Sequence, residues 1–301
     1  MHLYNYSLTR KRKKQKSKLK NWFNWQLHKY LKKGLVKYFK DVSKDTLSID
    51  KKSNVIVSLT TFPERIEYVH LAIRSILYQT KRPKKIVLWL GKEFFPLAED
   101  DLPSSLLELK PQGLEIEFCI DIKAHTKYFY AFQKYPEDLI VTVDDDIIYP
   151  KNLLEVLLDT HQKYPNCVVA NRVRNVEIED NNFKPYREWK INSLNVSNPS
   201  KKILATGVSG VLYQPKLFLK STFDIEGIKK TNCIGDDIWL KAAQIISNIP
   251  VVYTNFFKRA FIEIPDTQKQ SLFKKNVFEN ENDRQIKEVF DYFDITEKSF
   301  E

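Results

Sequence analysis

Glycine is scarce in this chain, seven residues in 301, and none falls into a G-x-x-x-x-G-K-[ST] or G-x-G-x-x-G pattern. Neither a P-loop nor a dinucleotide fingerprint is available, which removes the NTPase as the main rival reading of a strand that ends in carboxylates. With so few glycines, those that occur close together or at strand ends serve a backbone need. Cysteine is sparse as well. Cys119, Cys167 and Cys233 make an odd number with no C-x-x-C spacing, which predicts a reduced, cytoplasmic protein without a thiol metal site. His70, His125 and His161 show no ligand spacing and receive no role. No apolar run approaches the ~18–20 residues of a spanning helix, and no stretch of signal-peptide type flanks the basic run near the N-terminus.

Charge is unevenly spread. Residues 1–50 hold 14 Lys+Arg against 3 Asp+Glu, a net of +11, which leaves 35 against 35 for residues 51–301. A nucleic-acid-binding protein would carry basic residues throughout its domain, so nucleic acid is not an expected partner. Arg10 to Lys20 is the densest basic stretch, and from Leu19 the residues Leu19, Phe23, Leu27, Leu31, Leu35 and Phe39 repeat every fourth position. This is the pattern of a basic amphipathic helix. Its apolar stripe has two readings, packing on the globular domain or lying on the anionic cytoplasmic face of a membrane, where aromatic residues such as Trp22 and Trp25 suit the headgroup level. Residues 41–53 read as a linker. The expected organisation is an N-terminal arm, residues 1–50, and one catalytic domain, residues 51–301.

After the arm the chain alternates strand and helix: a strand at Val55 to Leu59, helical spacing through Ile66, Val69, Ile73, Ile76 and Leu77, and a strand at Lys85 to Leu90. A helix near Leu102 to Leu109, a strand at Leu114 to Ile120, a helix at Thr126 to Tyr135 and a strand from Leu139 follow. Such alternation predicts an α/β fold with a mostly parallel sheet covered by helices. Ligands in open sheets of this kind bind beyond the carboxyl ends of the strands. Thr60, Thr61, Gly91 and Asp121 all lie at such ends. Beyond Pro150 the pattern predicts a helix from Lys151 to Gln162 and a strand at Val168 to Ala170. A long irregular loop from Asn175 to Ser200 is expected to contribute acceptor contacts. Ile203 to Tyr213 reads as strand, bend, strand, because Gly207 and Gly210 interrupt an apolar run where a ligand would need close approach to backbone.

The most informative stretch runs from Leu139 to Pro150. An apolar strand leads into Asp144-Asp145-Asp146, and strands disfavour aspartate. Like charges about 4 Å apart repel by roughly 1 kcal/mol in water and about 4 kcal/mol at a partly buried site, so something positive belongs there. If the segment stays extended, Asp144 and Asp146 point one way and Asp145 the other. Such a pair suits Mg²⁺ or Mn²⁺, which takes one or two protein carboxylates and completes its shell with water and substrate phosphates. A second acidic site follows at Asp236-Asp237, just ahead of Ile238, Ala242, Ile245 and Ile246 on one helical face. Helix capping would explain one of these two carboxylates.

Four pieces occur in a recognisable order: Val55 to Arg65, the triple aspartate, Gly207-Val208-Ser209-Gly210, and Asp236-Asp237-Ile238-Trp239-Leu240. Together they resemble the bacterial glycosyltransferase family 2-like proteins of GT-A fold, whose Asp-x-Asp motif the triple aspartate matches, over roughly residues 54–253. The resemblance implies a metal-dependent, inverting transfer of a sugar from a nucleotide-sugar donor to a cell-envelope glycan or lipid-linked acceptor. It implies that Asp144 and Asp146 hold the metal and that Asp237, with Asp236 as its neighbour, is the general base. Arg65 and Lys127 would touch the nucleotide or its phosphates, with Thr60, Asp121 and Asp145 completing the donor-facing set. An Asp of ordinary pKa, about 3.9, would be ionised at neutral pH and able to accept the acceptor's proton. Trp239 is read either as a core aromatic or as an acceptor platform. The rival function is a non-catalytic nucleotide-sugar or glycan binding module with a membrane-docking arm.

Overall fold

The computed structural model describes residues 32–192, 198–257, 261–267 and 281–301. Its centre is a seven-stranded sheet built from β1 (Val55–Thr60), β2 (Lys85–Gly91), β3 (Leu114–Cys119), β4 (Leu139–Thr142), β6 (Val168–Ala170), β11 (Val211–Tyr213) and β12 (Val251–Tyr253). The strand order is β12-β6-β11-β4-β1-β2-β3. β1 pairs in parallel with both β2 and β4, β2 with β3, and β6 with β12, while β11 runs antiparallel to both its neighbours. The mostly parallel α/β architecture expected from the alternation is therefore present.

Residues of β1 and β4 alternate between two apolar layers, as a strand buried on both faces requires. Ile56 and Ile140 face the side covered by α3 (Thr126–Lys134) and α6 (Asp236–Ile246). Val55, Val57, Val141 and Val143 face the side covered by α1 (Ile66–Leu77) and α4 (Leu153–Lys163). The expected helix at Leu102 to Leu109 is only four residues long, α2 (Ser104–Leu107), between two 3₁₀ turns. Pro103 before it and Pro111 after it supply no N–H donor and break its continuation.

The described residues of the expected loop, 175–192 and 198–200, are more ordered than an irregular loop. β7 (Val173–Asn175) pairs with β10 (Ile203–Ala205), and β8 (Ile178–Glu179) forms a hairpin with β9 (Asn182–Phe183). Asp180 and Asn181, at φ 49° and 55°, make the tight turn, the conformation that favours Asn and Asp in two-residue hairpins. The strand-bend-strand reading of Ile203 to Tyr213 holds, with a 3₁₀ turn over Gly207–Ser209 and Gly210 at φ 82° between the strands.

Residues 32–41 are helical, and Leu35 and Phe39 pack with Leu71, Ala72, Ile148, Ile262 and Ile264. The buried Arg74 side chain donates to the Phe39, Lys40 and Val42 carbonyls, satisfying orphan acceptors at that helix end. This part of the apolar stripe is thus covered by protein. The supposed linker that follows also packs, with Leu47 buried in the main core. The basic run and the stripe residues up to Leu31 lie outside the described residues. Among the described residues, no helix is long and apolar enough to cross a membrane.

Candidate active site

The three aspartates leave β4 at its carboxyl end and turn at once. Asp145 and Asp146 occupy a turn before β5 (Ile147–Ile148), so the extended alternation does not persist. The turn is pinned from two sides. The Asp144 N–H donates to the buried Tyr149 hydroxyl at 2.7 Å, and the Ile264 N–H donates to the Asp146 carbonyl at 2.7 Å, beside the pairing of β5 with β13 (Ile262–Glu263).

The turn changes the partners of each carboxylate. Arg65 Nη1 lies 2.7 Å from Asp145 Oδ1 and 3.1 Å from Asp146 Oδ2, so these two share one guanidinium. The other oxygen of Asp145 accepts the Thr61 hydroxyl at 2.5 Å. Burial pushes the Asp145 carboxyl up from its ordinary range, with Arg65 and Thr61 pulling against it. Arg65, although burial opposes its charge, is held above its own range by Asp145 and Asp146. Asp144 bonds Lys127 instead. The simple alternation expected of an extended chain therefore gives way to a turn in which Asp145 and Asp146 share Arg65.

Lys127, in the first turn of α3, joins the two acidic sites. Its Nζ lies 2.8 Å from Asp144 Oδ1 and 3.0 Å from Asp236 Oδ2, with only 8% of its side chain exposed. Burial works against the ammonium, but Asp144 and Asp236 outweigh it and hold Lys127 well above the usual lysine range. Asp237 sits beside this bridge and accepts the Gly207 N–H at 2.9 Å. A Cβ at position 207 would come 3.3 Å from Lys127 Nζ and 3.4 Å from Asp237 Oδ1. The glycine lets the site's own charges close on the backbone.

Neither acidic residue at the start of α6 is its cap. Gly235 holds that position, and its N–H and that of Ile234 both donate to the buried Gln285 side chain, at 2.9 and 2.8 Å. Gln285 belongs to α7 (Glu281–Tyr292), which packs on α6 through Trp239, Val289 and Phe290. The Asp237 carboxyl also lies outside the ordinary aspartate range. Burial, then the Asp236 and Asp144 charges, push its carboxyl up to about 8, against the Lys127 ammonium and the Gly207 N–H.

The remaining expected residues are placed as follows. The Thr60 hydroxyl donates to the Trp89 carbonyl at 2.9 Å, and the neighbouring Thr61 is the one that reaches Asp145. Asp121 is held in its own loop, accepting from the Lys123 N–H and the Thr126 hydroxyl and pairing with the Lys123 ammonium. Trp239 is fully buried, donates to the Thr222 carbonyl and packs against Phe293, which makes it a core aromatic. Tyr149 and Gln285 were not singled out from the sequence for this site, and Thr61 was placed only at a ligand-facing strand end, with Thr60 given the donor role. Thr61 alone carried a signal, since a side chain next to Thr60 on an extended strand points the other way.

Four carboxylates, Asp144, Asp145, Asp146 and Asp236, thus share two directly bonded cations, Arg65 and Lys127, and a fifth, Asp237, sits beside them on the Gly207 N–H. Among the described residues no group of three or more His, Cys, Asp or Glu forms a protein-only metal cage. The donor set fits instead a hard cation bound through one or two carboxylates together with a ligand's phosphates. Asp145 has both oxygens bonded, to Thr61 and Arg65, while Asp144 and Asp146 each give an oxygen, to Lys127 and Arg65 respectively.

No family model matches the sequence, and no curated protein matches it. Among solved structures it is similar to S. aureus TarS residues 1–349 in complex with UDP-GlcNAc, at 10% identity and a TM-score of 0.41 over 69% of this chain and 57% of that one. It is also similar to the mannosyltransferase PcManGT from Pyrobaculum calidifontis in complex with GDP-Man and Mn²⁺, at 14% identity and a TM-score of 0.43 over 75% and 64%. A third similarity is to a 4-diphosphocytidyl-2C-methyl-D-erythritol synthase, at 13% identity and a TM-score of 0.41 over 68% and 92%. The chain spans less than two thirds of the length of the TarS and PcManGT chains.

Proposed function

We propose that this protein is a metal-dependent glycosyltransferase that moves a sugar from a nucleotide-sugar donor to an acceptor hydroxyl with inversion, the acceptor being a cell-envelope glycan or a lipid-linked glycan. The observation that carries this reading is the Lys127 bridge, which brings the strand-end carboxylate Asp144 and the helix-end carboxylate Asp236 onto one ammonium at 2.8 and 3.0 Å. Sugar transfer from a nucleotide needs both ends of such a site. One end must take up the charge of a departing diphosphate, and the other must accept a proton.

Asp144 and Asp146 would hold Mn²⁺ or Mg²⁺, which supplies charge neutralisation to the diphosphate when bound. Arg65 braces Asp145 and Asp146 from behind, so the turn that carries them resists collapse when the ligand leaves. Asp237 would take the proton of the acceptor hydroxyl. As that O–H breaks, the oxygen bonds to the anomeric carbon, the bond from that carbon to the phosphate oxygen breaks, and its electron pair leaves with the nucleoside diphosphate. Burial, and after it the charge of Asp236, raise the proton affinity of the Asp237 carboxylate, the form that would accept the proton. Attachment of the enzyme to the cytoplasmic face of an anionic membrane would rest on the basic residues before position 32.

Asp146→Asn tests the donor end. In calorimetry with Mn²⁺, nucleoside-diphosphate affinity is expected to fall about tenfold or more, with the circular dichroism spectrum unchanged. Unchanged Mn²⁺-dependent affinity would remove Asp146 from the cation site.

A further inference from the structure

Two further arginines follow β6, Arg172 just after it and Arg174 within β7. Arg174 is buried, donates to the Tyr186 and Trp189 carbonyls at 3.3 and 3.0 Å, and stacks on the Tyr186 ring with its guanidinium carbon 4.4 Å from the centroid. Its Nε has no partner among the described residues. Arg172 is partly buried and makes one side-chain hydrogen bond among the described residues, to the Thr206 hydroxyl at 3.2 Å. No carboxylate among the described residues lies within 4.0 Å of either guanidinium.

Charges removed from water are normally paired, and a guanidinium offers five N–H donors in a fork that matches phosphate or carboxylate oxygens. Arg172 therefore has donors to spare in a place where its charge is poorly compensated. Burial depresses its pKa, with Arg174 adding to the effect, while Tyr186, Asp237 and Asp144 oppose it from a distance. The position of Arg172 says which part of a ligand it would meet. Its partner Thr206 precedes Gly207, the residue whose N–H is held by Asp237 Oδ1. Through Thr206 the guanidinium is anchored one residue from the backbone that Asp237 holds and feels the Asp237 charge, whereas Arg65 is occupied at the strand-end carboxylates.

We infer that the acceptor is anionic, carrying a phosphate or carboxylate that Arg172 binds beside the hydroxyl to be deprotonated by Asp237. This rests on the glycosyltransferase reading, and it names the acceptor's class. Bidentate binding of the anion would fix the neighbouring hydroxyl in one orientation toward the base, where proximity is most effective. Arg174 acts behind it as a positioning residue, bracing Tyr186 and contributing positive potential.

The test uses the full chain freed of divalent cations with EDTA and inorganic phosphate as the probe, so that cation-dependent binding at the strand-end carboxylates is silent. Thermal shift and calorimetry are expected to show saturable phosphate binding by the wild type. Arg172→Gln should bind phosphate about tenfold or more weakly, and Arg172→Lys should fall between the two, since an ammonium keeps the charge and loses the fork. With Mn²⁺ restored, Arg172→Gln should keep nucleoside-diphosphate affinity within about twofold of the wild type, while Asp146→Asn should show the converse pattern. Absence of phosphate binding in the wild type, or equal binding by wild type and Arg172→Gln, would overturn the inference. So would loss of nucleotide binding in Arg172→Gln, because Arg172 would then belong to the donor end. If the wild type bound phosphate through Arg172 but no nucleotide with Mn²⁺, the anion site would stand and the glycosyltransferase reading would fall.

Discussion

Asp237→Asn is expected to lower turnover roughly 10²-fold or more while donor binding persists, and to make the folded protein more stable at neutral and alkaline pH. The first effect follows from removing the proton acceptor while the diphosphate is held elsewhere. The second follows from the cost of the charge itself. In the folded protein the Asp237 carboxyl stands near 8, pushed up from 3.8 by burial and then by Asp236 and Asp144. Between those two values the folded state holds a proton that the unfolded state has released. Wild-type stability therefore falls as pH rises through that window, by an amount on the order of several kcal/mol at its upper end. Asparagine carries no charge and keeps an oxygen to accept the Gly207 N–H, so the variant should lose that slope. Chemical denaturation at pH 5, 7 and 9, with transfer and donor affinity measured on the same preparation, checks both halves. Near-normal turnover would move the role of base to Asp236 or another group. Parallel pH slopes would mean that Asp237 is not the costly buried carboxyl. Donor binding without transfer to any acceptor, in wild type and variant alike, would favour a binding module over an enzyme.

Arg65→Met is expected to destabilise the protein by about 3–5 kcal/mol, the usual cost of leaving buried carboxylates without their cation. Arg65 Nη1 is the atom that both Asp145 and Asp146 share, and the side chains of all three are at most 12% exposed. Methionine preserves much of the volume and removes the charge, so the loss measures uncompensated carboxylate rather than a cavity. A double variant with Asp145→Asn should recover part of the loss, because one of the two orphaned charges is gone and the amide can still accept from Thr61. Urea denaturation of the wild type, the two single variants and the double variant gives the coupling directly. Additive losses would show that the Arg65 to Asp145 pair contributes no specific interaction.

Local pattern alone was enough for several elements of this protein. Apolar runs bounded by turn residues located β1, β2, β3, β4 and β6 within a residue or two, and the 3.6-residue spacing located α1 and α6. These signals survive in sequence because each residue's face is dictated by neighbours one to four positions away. The same reasoning located the carboxylates at a strand's end and a helix's start, since aspartate in either place needs a cause. It failed at Asp145 and Asp146, where alternation assumed an extended chain and the chain turned. Partner identity depended wholly on the tertiary structure. Arg65 meets Asp145 from 80 positions away, and Gln285 reaches Ile234 from 51. Lys127 joins Asp144, a near neighbour in sequence, to Asp236 on a different element. The raised pKa of Asp237 was likewise invisible to the sequence, because a carboxyl's pKa responds to how much water and how much charge surround it. Those surroundings are set by packing between elements that are distant along the chain.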